Sequence, residues 1–252
     1  MPDRVVALGA SNLTRGFQTV VSAARAAGGP NIEVLAARGH GRSYGAPSMF
    51  LARRLPGILQ SGIWGRLERS APASTRALVT DVGNDILYGF TAAQVLAWVE
   101  EAVDRLQRVT SDIVLTGLPL AGIQRLSRFK YLMFRSLVVP QCRLPLGVVA
   151  ETAERVEAGL SAIASARGLR FLLLREEWYG FDPLHIRPSQ WRPAWLEILA
   201  GGAGGMSAGE ASWREGARLY LMRPERRWLF GREQVTPQRG TILPEGGRVW
   251  LF

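Results

Sequence analysis

RVVALGASNLTRG, residues 4–16, decides the fold. Five mostly apolar residues, with β-branched Val5 and Val6, are too few for a buried helix; they reach Gly9 and then pass straight into a helical pattern. The alternation recurs along the chain. Strands are expected at Arg4–Leu8, Ile32–Ala36, Ala77–Val82, Asp112–Thr116 and Leu169–Leu174. Helices are expected at Leu13–Ala27, Ser48–Leu67, Thr91–Val109 and Val148–Arg167. The third helix carries Val95, Trp98, Val99, Ala102, Val103 and Leu106 on one stripe, and Pro56 is expected to break or kink the second. Short apolar strands separated by helices predict an α/β chain with a doubly wound parallel sheet, whose ligand site lies beyond the carboxyl ends of the strands.

Composition narrows the class. With 252 residues, 47% of them hydrophobic, the chain can bury one large core, with or without a small appendage. Its start, MPDRVVALGA, shows neither a signal peptide nor a spanning helix, so a cytoplasmic location is expected. Cys142 stands alone, which excludes an intrachain disulfide or a cysteine-built zinc site; it is expected to be a small buried hydrophobe, and no metal or cofactor is anticipated. The net charge of +10 comes almost wholly from arginine, since Lys130 is the single lysine. These arginines are scattered and no nucleic-acid motif accompanies them, so a coding bias explains them as well as an anionic partner does, and no nucleic acid is expected.

Three residue sets carry chemistry. Ser11 follows the first strand and precedes the first helix, where unpaired N–H groups favour negative charge, although taken alone it reads as an N-cap. Asn12 reads as a capping or loop residue. In TDVGNDILYG, residues 80–89, Asn84 offers a side-chain amide just after the third strand, with a Gly-Asn turn as the plain alternative, and Asp85 is expected to support the loop. In FDPLHIRP, residues 181–188, Asp182 precedes His185 by three positions, close enough to set the imidazole tautomer. The segment ARGHGRSYG, residues 37–45, has glycines that expose backbone N–H groups but lacks the lysine and hydroxyl of a phosphate loop. His40, with no carboxylate near it in sequence, reads as a loop residue rather than a base.

Taken in order, these sets resemble the SGNH (GDSL-like) hydrolases across roughly residues 4–195. Gly9-Ala10-Ser11-Asn12-Leu13 is similar to the first family block, Gly39-His40-Gly41 to the second, Val82-Gly83-Asn84-Asp85 to the third, and Asp182-Pro183-Leu184-His185 to the DxxH block. The resemblance implies a three-layer α/β/α, flavodoxin-like fold and a serine hydrolase cleaving an ester or thioester through an acyl-enzyme. It implies Ser11 as nucleophile, His185 as base, Asp182 as orienting acid, and an oxyanion hole of Ser11, Gly41 and Asn84. Ala10 stands where the family commonly has Asp, and Arg42-Ser43 replaces the usual Asp-Thr, departures that bear on loop geometry and substrate. The competing reading is a non-catalytic module that uses the same scaffold to recognise an anionic partner.

Two regions lie outside the blocks. The insert at residues 122–147 mixes Arg125, Arg128, Lys130 and Arg135 with Phe129, Tyr131, Leu132, Met133 and Phe134. It suits a lid or a membrane-surface helix, but on composition a core helix with snorkelling arginines is favoured, and no membrane partner is inferred. A catalytic domain is expected over residues 1–200 and an extension over 201–252. Within these, WRPAWLEIL and ASWREGARLYLM read as helices, GGAGGMSAG as a connector, and the end as a hairpin around Pro-Glu-Gly-Gly.

Overall fold

A computed structural model describes residues 1–139, 141–200, 213–243 and 246–252; the expected connector GGAGGMSAG lies outside the described residues. The strands are β1 Arg4–Leu8, β2 Glu33–Ala37, β3 Ser48–Phe50, β4 Arg53–Leu55, β5 Thr75–Val79, β6 Asp112–Thr116, β7 Arg170–Leu172, β8 Arg226–Leu229, β9 Arg232–Val235, β10 Thr241–Ile242 and β11 Arg248–Leu251. The helices are α1 Ser11–Arg15, α2 Phe17–Gly28, α3 Ile63–Glu68, α4 Asn84–Leu87, α5 Ala92–Gln107, α6 Leu120–Gln124, α7 Arg128–Val138, α8 Leu146–Arg167, α9 Trp191–Ala200 and α10 Trp213–Leu221.

The main sheet has the order β10-β11-β2-β1-β5-β6-β7, and every pair in it is parallel except β10 with β11. Side chains alternate along β1: Val5 and Ala7 join a core with α2, α9 and α10, while Val6 and Leu8 join the opposite core with α3, α5 and α8. All five β1 residues are buried, as a strand covered on both faces must be. Each fully buried Val or Leu contributes about 1.5–3 kcal/mol, so the two apolar faces, rather than strand propensity, hold this sheet together. The chain runs from β1 to β2 on one side and then crosses to β5 on the other, which makes the carboxyl end of β1 the topological switch point.

The structure departs from the sequence expectations in identifiable places. The helix expected from Leu13 is divided at Gly16, where a Cβ would lie 2.2 Å from Trp195 Nε1; the indole of α9 needs the space that a side chain would fill. The helix expected over Ser48–Leu67 is a β3–β4 hairpin, a single 3₁₀ turn and the short α3. Leu51 turns this hairpin at φ 54°, Pro56 stops it, and β4 finds its partner in β8 from the far end of the chain. The strand expected to reach Val82 ends at Val79, because Asp81 takes φ 59° and turns the chain out of the sheet.

Beyond residue 212 the chain is woven into this core. Helix α10 packs on α2, with Arg25 and Glu215 paired at 2.9 Å, and β8–β9 extends the β3–β4 hairpin into a four-stranded sheet. Phe230 and Gly231, both at positive φ, form the tight β8–β9 turn. The last strand, β11, lies parallel to β2 inside the main sheet, so Val249, Trp250 and Leu251 supply part of the core. Pro244 and Glu245, in the turn expected between β10 and β11, lie outside the described residues.

Candidate active site

Loops following β1, β2, β5 and β7 meet at the carboxyl edge of the sheet. Ser11 is the first residue of α1, and its Oγ lies 3.0 Å from His185 Nε2. The other imidazole nitrogen, Nδ1, lies 2.7 Å from Asp182 Oδ2. A carboxylate in that position accepts a hydrogen bond from Nδ1–H and so fixes the tautomer in which Nε2 keeps its lone pair towards the hydroxyl. Burial works against the charged form of Asp182, but the hydrogen bond and charge of His185, the Leu184 N–H and Arg15 outweigh it and hold the carboxyl below its ordinary value. Arg15 Nη1 stands 3.4 Å from Asp182 Oδ2.

Ser11, Gly41 and Asn84, which carry three hydrogen-bond donors in two backbone N–H groups and one side-chain amide, line one cavity with His185. Among the described residues, none of the three donates to a protein acceptor. Gly41 adopts φ 64°, and a Cβ there would meet Tyr88 Oη at 2.7 Å. Tyr88 donates to the Gly41 carbonyl at 2.5 Å, which fixes the peptide following the glycine. A side chain at position 41 would be strained by the left-handed backbone and displaced by the tyrosine.

Neither a family model nor a curated protein matches the chain. Solved structures do. Est24, a carbohydrate acetylesterase from Sinorhizobium meliloti, shares 13% identity and covers 79% of this chain and 98% of its own, with a TM-score of 0.55. A native aryl esterase of M. smegmatis shares 12% identity and covers 81% of this chain and all of its own, with a TM-score of 0.53. The chain has the SGNH-hydrolase fold. Both of these neighbours are esterases, and the likeness to them is one of fold.

On this SGNH scaffold the insert at residues 122–147 forms a wall of the cavity. Ile123, Leu126 and Tyr131 face it, opposite Leu118 from the loop after β6 and Val149 from α8. The Tyr131 hydroxyl donates to the Leu144 carbonyl at 2.6 Å, pinning the insert to the start of α8. Phe129, Leu132 and Met133 are exposed, so α7 is a partly exposed wall rather than the core helix favoured on composition; the Phe134 side chain lies outside the described set. Cys142 is free and buried beside Tyr131. No helix among the described residues is long and apolar enough to cross a membrane.

Two supporting residues escaped the sequence reading. Asn12, read there as a cap or loop residue, instead clasps the backbone on both sides of His185: it donates to the Leu184 carbonyl at 3.1 Å and accepts from the Ile186 N–H at 2.8 Å. Asp81 was not singled out at all. Its carboxylate accepts from the Ala10 and Leu13 N–H groups, each at 3.0 Å, and from the Asn12 amide at 2.9 Å. The resemblance notes an Asp missing at position 10; here a carboxylate reaches the Ser11 loop from the end of β5 instead. A signal existed in the Asp three residues before Asn84, but nothing in the sequence shows which loop it faces.

Asp85 supports the neighbouring loop, as expected. It is buried and accepts from the Tyr44 N–H at 3.0 Å. Burial above all pushes its carboxyl up to about 6, against hydrogen bonds from Ser43 and Tyr44. The folded chain therefore holds this proton more tightly than the unfolded chain, whose value is near 3.8. Its favourable contribution is complete below pH 3.8 and is lost as pH rises through about 6, an effect on the order of 3 kcal/mol. Asp85→Asn is expected to flatten this part of the stability profile, measured by denaturant unfolding at pH 4.5 and 7.5; equal profiles for variant and parent would exclude it. His40 is neutral at neutral pH, pushed down to about 4 by burial first and then by the charges of Arg53, Arg15, Arg38 and His185.

Proposed function

We propose that this chain is a serine hydrolase that cleaves an ester or thioester through an acyl-enzyme. The observation that carries the reading is the continuous line Asp182–His185–Ser11, with hydrogen-bond lengths of 2.7 and 3.0 Å across loops 174 residues apart in sequence. A surface histidine or a capping serine has no reason to meet such a partner. In the reaction, His185 Nε2 takes the Ser11 proton while Oγ attacks the acyl carbonyl carbon. The carbonyl oxygen gains the negative charge, which the Ser11 and Gly41 N–H groups and the Asn84 amide stabilise in this reading. Collapse of the tetrahedral intermediate expels the alkoxide or thiolate, which receives the proton from His185. Water then attacks the acyl-serine with His185 again as base, and the acid leaves.

The cavity, about 180 Å³, is lined chiefly by apolar side chains beyond the donors, which suits an uncharged acyl group. Esterases among the structural neighbours support a small-molecule ester as substrate. Labelling with a fluorophosphonate followed by peptide mapping tests the reading without knowledge of the acyl group. Modification is expected on Ser11 and is expected to vanish in Ser11→Ala. A folded protein that takes no label there, yet binds acidic ligands in a salt-sensitive way, would favour the non-catalytic module instead.

A further inference from the structure

A second cavity, about 100 Å³, opens behind the loop that carries Gly41. Arg38, His40, Arg53 and Tyr220 line it, together with Thr14. These come from four separate parts of the chain: the end of β2, the hairpin strand β4, the helix α10, and α1. The cavity is equivalent to about three water volumes, enough for one tetrahedral oxyanion.

Its charge is unusual for a protein interior. Arg38 is 8% exposed and Arg42, directly behind it, is fully buried. Arg38 donates through Nη2 to the Leu219 carbonyl and stacks on the Phe17 ring at 4.3 Å, but its Nε has no acceptor. Arg42 donates to the Pro56 and Arg38 carbonyls and to the backbone oxygen of Phe252, the last residue of the sequence, and its Nη2 has no acceptor. Among the described residues, no Asp or Glu side chain pairs with Arg38, Arg42 or Arg53; the groups that act on them are one another, Arg227 and Tyr220. Burial first, and then this mutual repulsion, push Arg38 and Arg42 down to about 9, so both remain cations at neutral pH. A buried guanidinium without a counter-charge costs several kcal/mol, and buried donors without acceptors add to that cost.

We propose that the cavity walled by Arg38, Arg53, His40 and Tyr220 binds a phosphate group, either as the free ion or as part of the ester's leaving group. A phosphate dianion matches two guanidinium forks in charge and in geometry, whereas a carboxylate neutralises only one. It also supplies oxygens to Arg38 Nη1, to Arg53, which has no side-chain acceptor among the described residues, and to the Tyr220 hydroxyl. Loop position separates this site from a phosphate loop: the glycines at 39 and 41 carry the chain between two cavities, and His40 lines both. Phosphate attached to a leaving group would therefore sit on the far side of His40 from Ser11.

Calorimetric titration of the full chain with inorganic phosphate, at constant ionic strength against chloride, tests the site independently of hydrolysis, and the Ser11→Ala protein serves equally well. Saturable binding of one phosphate is expected, weakened at least about tenfold in Arg53→Gln. Arg53 is half-buried and bonds no other side chain, so this variant avoids the folding risk of replacing Arg38. With only two histidines in the chain, the His40 ring proton is resolvable by NMR and is expected to move with phosphate along the same binding curve. Two acyl esters that differ only by a phosphate on the alcohol separate the sources. If the leaving group carries the phosphate, Arg53→Gln lowers kcat/KM at least about tenfold more for the phosphorylated ester than for the neutral one. If the ligand is free phosphate, the two esters respond alike while the calorimetric loss persists. This arm alone rests on the hydrolase reading. No saturable phosphate binding by the parent protein, or equal binding by parent and Arg53→Gln, overturns the proposal whether or not the chain hydrolyses esters.

Discussion

Ser11→Ala protein is expected to hydrolyse p-nitrophenyl esters about 10⁴-fold or more slowly than the parent, with its thermal midpoint nearly unchanged. The loss is large because, in the proposed mechanism, the acyl intermediate forms on this hydroxyl, and without it the donors of Gly41 and Asn84 would act on direct water attack. Stability is expected to hold because, among the described residues, Ser11 Oγ bonds only the His185 ring, while the loop around it is held through the Ala10 and Leu13 N–H groups on Asp81. Steady-state kinetics on the purified variant, with a heat-unfolding scan as control, decide the matter. Activity within tenfold of the parent would remove Ser11 from the reaction.

Asp182→Asn is expected to lower kcat by about 10³- to 10⁴-fold at neutral pH with a small change in KM. The carboxylate accepts a hydrogen bond from the Nδ1–H of His185 at 2.7 Å, which leaves Nε2 free to take the Ser11 proton. An asparagine amide of the same shape can present its N–H to Nδ1, stabilising the opposite tautomer, in which Nε2 carries the proton and cannot act as a base. The substitution also removes the negative charge that stabilises the imidazolium as it forms. Arg15 at 3.4 Å then faces the imidazolium with no carboxylate between them. Kinetics across pH, together with NMR of the two imidazoles, would show the tautomer change directly. An unaltered kcat would mean that Asp182 only anchors its loop.

Much of the site was legible because its residues occupy strand ends, and strand ends are visible in the hydrophobic pattern. Ser11, Gly41 and Asn84 each follow a short apolar run, and Asp182 with His185 sits in a Pro-containing loop after the last predicted strand. Asn12 and Asp81 were not legible in the roles they play, because a brace between loops depends on which loops meet. The hairpin at β3–β4 was misread as helix for a related reason: MFLARRL satisfies a helical stripe locally, and only pairing with β8, more than 170 residues away, favours the extended form. Local propensity differs by a few tenths of a kcal/mol per residue, which long-range pairing and burial readily override.

By itself, the amino-acid order determined the parallel sheet and the order of the chemical blocks and nominated candidates for acyl transfer, since periodicity and turn chemistry act over a few residues and are written along the chain. Tertiary structure alone decided that β11 joins the sheet beside β2, that the insert walls the cavity, and that Arg38, Arg42 and Arg53 crowd together without an acidic side chain. Those are meetings between segments tens to hundreds of residues apart. They are settled by which buried surfaces and charges the whole fold can satisfy at once, and no local window contains that information.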